Sequence, residues 1–279
     1  MKIIKSIAEM LDCISSIQNN DKISLIPTMG NLHKGHLSLI NHSKNHPSKI
    51  IVSIFVNPLQ FNDADDFKNY PTSLESDLNI LQKQGVDYVF VPDRDEIIPP
   101  DIKYISLPTG FNTKLCGKFR PRHFEGVLII VKQLINIIKP NYLFFGEKDY
   151  QQTLLIMFIL QEYYSGKKIK LITCQTVREA NGLALSSRNN ILNENFLNIA
   201  STLYQVMLEH KNNSSKLNWD RYKDIKIEYC EKLGLKELYD LHGIRLSSDY
   251  DNHDHLNKIR LFVSAHIQGI RLIDNIEIE

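Results

Sequence analysis

Through about the first 175 residues, short unbroken apolar runs alternate with stretches in which apolar residues recur every three or four positions. The runs are ISLIP (Ile23–Pro27), IVSIFV (Ile51–Val56), YVFVP (Tyr88–Pro92) and YLFF (Tyr142–Phe145), too uniformly apolar to be strands with one wet face. Between them, LESDLNILQKQG (Leu74–Gly85) and FEGVLIIVKQLINII (Phe124–Ile138) carry helical spacing. The N-terminal MKIIKSIAEMLDC also has apolar residues at helical spacing. Strands apolar on both sides and separated by helices predict a parallel sheet covered on both faces, a doubly wound, Rossmann-like α/β domain. Such sheets bind ligands beyond the carboxyl ends of their strands. PTMG after the first run, NPLQF after the second and GEKD after YLFF all stand at such ends, so three motifs are expected to share one crevice.

Near Cys174 the pattern changes. A strand, LITCQTV (Leu171–Val177), leads into the loop REANGLALSSRNN and the helix NENFLNIASTLYQVMLEH (Asn193–His210). A polar loop, KNNSSKLN (Lys211–Asn218), precedes a second helix, DIKIEYCEKLG (Asp224–Gly234), and two strand-like segments around ELYDLHGIRL and IRLFVSAHI. The expectation is a smaller α+β domain over 177–279, following a nucleotide-binding domain over 1–176.

Composition narrows the classes. A chain of 279 residues with 43% hydrophobic content can bury a substantial core. A formal net charge of +1 argues against a nucleic-acid binder working through bulk charge. The four cysteines stand far apart without a CxxC pair, which fits reduced thiols and a cytoplasmic setting. No run approaches the roughly 20 apolar residues of a membrane-spanning helix.

The strongest chemical signal is PTMGNLHKGHLSLI (Pro27–Ile40). A buried strand runs into a turn where Gly30 and Gly35 permit tight backbone conformations, and a helix begins near Gly35. A helix N-terminus stabilises anions, and His33 and His36 at i, i+3 share one face of it, which suits a nucleotide's phosphates. By themselves two such histidines could equally be surface residues or half of a metal site. In GEKDYQQ, Gly146 lets the chain turn after a strand, Lys148 supplies a point charge for phosphate, and Asp149 can orient a ribose hydroxyl, the lysine or an ion. In ALSSR, two hydroxyls and the bidentate Arg188 can embrace phosphate, although Ser186 and Ser187 could merely cap a turn. Gln60 and Gln152 carry the donor and acceptor that a hydroxy acid needs, or else satisfy loop backbone.

TMGNLHKGH resembles the HxGH motif of nucleotidyltransferases and class I synthetases, and with PTMG in front it resembles the pantoate-beta-alanine ligases (pantothenate synthetases). SIFVNPLQF (Ser53–Phe61), RPRHFEGV (Arg120–Val127), FFGEKDYQQ (Phe144–Gln152), GLALSSRN (Gly182–Asn189) and RLIDN (Arg271–Asn275) match the same family in the same order. The resemblance implies ATP as substrate with Mg²⁺, and pantoate and β-alanine as small-molecule partners. It further implies a homodimer, with no role for nucleic acid or membrane. For ATP it implies Met29, Gly30, Asn31, Leu32, His33, Lys34, Gly35 and His36, then Gly146, Glu147, Lys148 and Asp149, and finally Val177, Leu185, Ser186, Ser187 and Arg188. Among these His36, His33, Lys148 and Arg188 would serve catalysis, with His36 the usual proton donor. Gln60 and Gln152 would hold pantoate and β-alanine, and Asp77 is the one candidate ligand for Mg²⁺. The implied reaction forms pantoyl adenylate, then pantothenate, AMP and pyrophosphate. Two residues depart from the family pattern: Arg122 replaces a smaller residue, and Asn181 stands where Asp is common. Alternatives are an adenylyltransferase for a phosphorylated small molecule, a class I aminoacyl-tRNA synthetase, and a regulatory ATP-binding module. Pyrophosphate exchange with each acceptor in turn separates them.

Overall fold

A computed structural model describes residues 1–17, 21–98, 100–102, 104–213, 236–245 and 259–277. The chain divides into two units, Met1–Gln175 and Thr176–Glu279. In the first, the elements run β1 (Lys2–Ile4), α1 (Ile7–Ser16), β2 (Lys22–Thr28), α2 (Lys34–Ser43), β3 (Ser48–Ile54), α3 (Ala64–Lys68), α4 (Leu74–Lys83), β4 (Tyr88–Phe90), α5 (Arg94–Ile97), α6 (Leu115–Phe119), α7 (His123–Ile138), β5 (Tyr142–Gly146), α8 (Tyr150–Tyr164) and β6 (Lys170–Cys174).

The six strands form one parallel sheet in the order β1-β4-β3-β2-β5-β6. Both faces are covered, as their unbroken apolar character requires. On one face Leu25, Ile51, Leu143 and Phe145 pack with Met10 of α1, with α7, and with Leu155, Ile156 and Ile159 of α8. On the other, Ile26, Val52, Val89 and Phe144 meet Leu39 and Ile40 of α2 and Leu81 of α4. Helix α7 has twelve of its 16 residues buried, so it is a core helix and not an amphipathic cover. Each Leu or Ile removed wholly from water there contributes about 1.5–3 kcal/mol.

The N-terminal segment differs from its helical expectation. Lys2–Ile4 leave as an edge strand on β4 before Ser6, whose hydroxyl accepts the Glu9 N–H at 3.2 Å, starts α1. Strand order reverses beside β2: the chain moves outward to β3, then returns past β2 to β5. That switch point is where a doubly wound sheet opens a crevice.

The second unit contains α9 (Glu194–Asn213) and an antiparallel sheet β7-β8-β9, formed by Lys236–Arg245, Ile259–Ile267 and Ile270–Glu277. Leu203, Val206 and Met207 of α9 cluster with Leu261, Val263, Ala265 and Ile267 of β8. Helix α9 runs three residues beyond the expected His210, and the block RLIDN is a strand that sequence patterning does not mark. The expected helix at 224–234 and most of the polar loop before it lie outside the described residues. Among the described residues, no helix is long and apolar enough to cross a membrane.

Candidate active site

Strand β2 ends at Thr28, whose hydroxyl donates to the Ser53 carbonyl of β3 at 2.8 Å and accepts the Gly30 N–H at 3.2 Å. This ties the turn to its neighbouring strand. Gly30 and Asn31 then take successive left-handed conformations, φ +78° and +49°. Space at Gly30 is tight as well: a Cβ there would stand 3.0 Å from Asp77 Oδ2 and 3.1 Å from Ile54 Cγ2, so those side chains would have to give by a few tenths of an ångström. Gly35, by contrast, lies inside the first turn of α2 and is not needed for a bend.

His33 caps α2. Its Nδ1 accepts the Gly35 N–H at 3.1 Å, and His36 Nδ1 accepts the His33 N–H at 3.3 Å, a reciprocal capping box built from two imidazoles. Their rings lie 4.1 Å apart between centroids. A backbone N–H can only donate, so each Nδ1 bears a lone pair and the ring hydrogen sits on Nε2. Electrostatics agree. Burial, then the nearby Lys148 charge, lower the His33 pKa to about 4, with Asp149 opposing; burial, then His33 and Lys148, lower that of His36 to about 3. At neutral pH both rings are uncharged and offer Nε2–H donors. They thus present no lone pair to a metal, and among the described residues no group of three His, Cys, Asp or Glu side chains is placed to hold one.

Lys148 follows β5, the strand adjoining β2, and its charge reaches both histidines. Its Nζ lies 3.6 Å from Asp149 Oδ1. Gly146 is less constrained than expected: its φ is −83° and a Cβ there would meet no heavy atom within 4 Å. The turn does not demand glycine. Burial and the neighbouring Glu147 push the Cys174 thiol up to about 11, so it stays protonated and unreactive.

Gln60 sits in the short 3-10 turn Pro58–Gln60 after β3. Its Oε1 accepts from Asn57 Nδ2 at 3.2 Å, and its Nε2 stands 2.6 Å from Met29 Sδ. The turn is braced from α7: Asn57 Nδ2 donates to the Gly126 carbonyl at 2.9 Å, and a Cβ on Gly126 would clash with the Leu59 carbonyl group. The Gln60 carbonyl accepts from His123 Nδ1 at 2.8 Å and Arg120 Nη2 at 3.2 Å, which leaves His123 Nε2 as acceptor for Arg120 Nη1 at 3.1 Å. Asn57, Arg120, His123 and Gly126 are not singled out by sequence reasoning, although RPRHFEGV and NPLQF carry them. Gln152 stands in the first turn of α8, where its side-chain amide forms no hydrogen bond with the described residues.

Asp77 requires a correction. As the expected Mg²⁺ ligand it would need open oxygens, yet it is 1% exposed, and its Oδ2 and Oδ1 accept the N–H groups of Asn31 and Leu32, both at 2.8 Å. Ser73 Oγ donates to Oδ1 as well, at 3.1 Å. The carboxylate is therefore spent on the turn. Equally, the Asn31 and Leu32 N–H groups are taken and do not face a phosphate.

In the second unit, Val177 and Leu185 close a tight hairpin, the Leu185 N–H donating to the Val177 carbonyl at 3.0 Å. Ser186 Oγ accepts the Arg188 N–H at 3.2 Å, so it does cap a short turn, and Ser187 is buried. The hairpin is anchored by Arg178, whose guanidinium engages both oxygens of Asp274, one at 2.9 Å, and lies 3.9 Å from the Tyr204 ring centroid. Asp274 is the acidic residue of RLIDN, which gives that block its physical role.

Comparison with known proteins agrees with this architecture. The family model for Pantoate-beta-alanine ligase matches residues 2–277. A pantothenate synthetase of Thermodesulfovibrio yellowstonii is 39% identical over 263 residues, 92% of either chain. That of Buchnera aphidicola, strain 5A, is 39% identical over 290 residues, 99% of this chain and 98% of the relative. Among solved structures, the ligase of Francisella tularensis complexed with beta-gamma ATP and beta-alanine superposes with a TM-score of 0.84 at 35% identity, covering 100% of this chain and 98% of that one. The pantothenate synthetase of Thermus thermophilus gives 0.83 at 29% identity, covering 100% and 99%. With its Rossmann-like sheet, its antiparallel second unit and its sequence matched nearly end to end, this chain belongs to the pantoate-beta-alanine ligase family of enzymes.

Proposed function

We propose that the protein condenses pantoate with β-alanine through pantoyl adenylate, consuming ATP and releasing pyrophosphate and AMP. The observation that carries this reading is the pair of neutral Nε2–H donors beside the Lys148 charge at the switch point of the sheet. Support comes too from the Francisella relative, whose structure is described as complexed with beta-gamma ATP and beta-alanine. A pantoate carboxylate oxygen attacks the α-phosphorus, the bond to the bridging oxygen breaks, and pyrophosphate leaves. Charge grows on phosphoryl oxygens during that step, and His33, His36, Lys148 and Arg188 stabilise it. His36 acts as a hydrogen-bond donor; pyrophosphate needs no proton to depart at neutral pH. The neutral amine of β-alanine then attacks the acyl carbon, expels AMP and loses a proton.

Gln60 and Gln152 hold pantoate, Gln60 because it is braced and Gln152 because its amide is unspent. Mg²⁺ arrives on the nucleotide's phosphates, an arrangement in which the ion needs few protein ligands and Asp77 is not one of them. The assembly is taken to be a homodimer and the setting cytoplasmic; a monomeric mass by light scattering would refute the first. The deciding experiment supplies ATP, Mg²⁺, pantoate and β-alanine and identifies products. AMP and pyrophosphate are expected, with pantoate-dependent pyrophosphate exchange when β-alanine is withheld. Stoichiometric ADP would overturn the mechanism, and exchange driven by phosphorylated acceptors would move the chain to the adenylyltransferases.

A further inference from the structure

One buried carboxylate beneath the phosphate turn has no part in the chemistry above. We propose that Asp77 is a positioning residue, which locks the Gly30–Leu32 turn in its left-handed shape and so fixes the direction in which His33 and His36 present their Nε2 hydrogens. The inference rests on the role given to those two histidines.

The turn cannot hold itself. Asn31 at φ +49° occupies a left-handed region that residues with a Cβ enter at a cost, though asparagine at less than most, and it does so directly after Gly30 at +78°. This bend turns the Asn31 and Leu32 N–H groups to one side. The Asp77 carboxylate receives both, at 2.8 Å each. Its own burial is offset by these bonds, by Ser73 Oγ at 3.1 Å, and by its place in the first turn of α4. The next peptide after Leu32 carries the N–H that His33 gives to His36 Nδ1, so the orientation set at Asp77 passes into the capping box within one residue.

Asp77→Asn tests this, because the amide places a donor where one of two backbone donors must be received. Pantoate-dependent pyrophosphate exchange should lose about tenfold to a hundredfold in kcat, the scale expected when reacting groups are displaced by about an ångström. KM for pantoate should stay within about twofold, because Gln60 and Gln152 are untouched. Raising Mg²⁺ should not restore the rate; restoration would make Asp77 a metal ligand and overturn the proposal. A lowered melting temperature with unchanged kcat per folded molecule would also overturn it. A readout independent of the reaction is hydrogen exchange at the Asn31 and Leu32 amides of the ligand-free wild type. Both should exchange slowly, and at least about tenfold faster in Asp77→Asn or, if it folds, Asp77→Ala. Free exchange in wild type refutes the clamp, whereas a wild type without pantoate-dependent exchange activity refutes the functional reading and leaves the clamp to be decided by the amides.

Discussion

At the scale of single residues, the informative atoms are the two imidazole Nδ1 positions. Because each receives a backbone N–H, the histidines work as neutral donors, and a neutral amide should replace one better than a methyl group can. We expect His36→Gln to remain within about tenfold of wild type in pyrophosphate exchange, and His36→Ala and Lys148→Ala to fall by about 10²- to 10³-fold, the usual loss for one preorganised donor. Equal losses for Gln and Ala would mean that an imidazolium is required. The exchange rate should also be flat between about pH 5.5 and 7.5 as far as these rings are concerned, since both titrate well below that range. Arg122 shows how a residue can depart from its family without touching the chemistry: it sits at φ +63° before α7, the conformation a smaller residue such as glycine adopts at less cost.

At the scale of elements, the sequence revealed what repeats and concealed what reaches across. The runs of β2, β3, β4 and β5 were legible because burial on both faces keeps them mostly apolar, with only small hydroxyl residues such as Ser24 and Ser53 buried among the aliphatic ones. β1 was not, since three residues merge into the helical spacing of α1. β9 was hidden by Asp274 and Asn275, polar yet buried, one pairing with Arg178 and the other with Arg260. HxGH and GEKD stand out by local spacing, but they point to phosphate only together with their place at strand ends and the family resemblance. The partner of Asp77 lies 45 residues upstream, and no periodicity points to it. The same holds for Gly126, whose reason is the NPLQ turn packed on it. Gly126→Ala should therefore act like a distant copy of Gln60→Ala: pantoate KM rises severalfold in both while ATP affinity survives. An unchanged pantoate KM in Gly126→Ala would show that the turn can move without disturbing Gln60.

At the scale of the whole molecule, the depressed histidines bear on stability toward acid. An unfolded chain protonates His33 and His36 near pH 6.5, whereas the fold resists until about pH 4 and about pH 3. Between those limits the unfolded state binds more protons, so stability is full above pH 6.5 and falls as the pH is lowered. The ligand-free melting temperature should drop between pH 7 and 5, and by less in a His33→Gln, His36→Gln double variant; equal drops would show the rings titrate normally. Strand order also sets a timetable for synthesis. Once Phe90 has left the ribosome, β1, β4, β3 and β2 can pair, but β2 keeps a bare edge until β5 appears about fifty residues later. A nascent chain in that interval carries a sticky apolar margin and half a crevice, a state open to aggregation. Stalled chains ending before Tyr142 should be protease-sensitive and indifferent to ATP, while chains that also expose β5 through α8 should gain ATP-dependent protection; protection of the shorter chain would show that the nucleotide grips β2 and its turn alone.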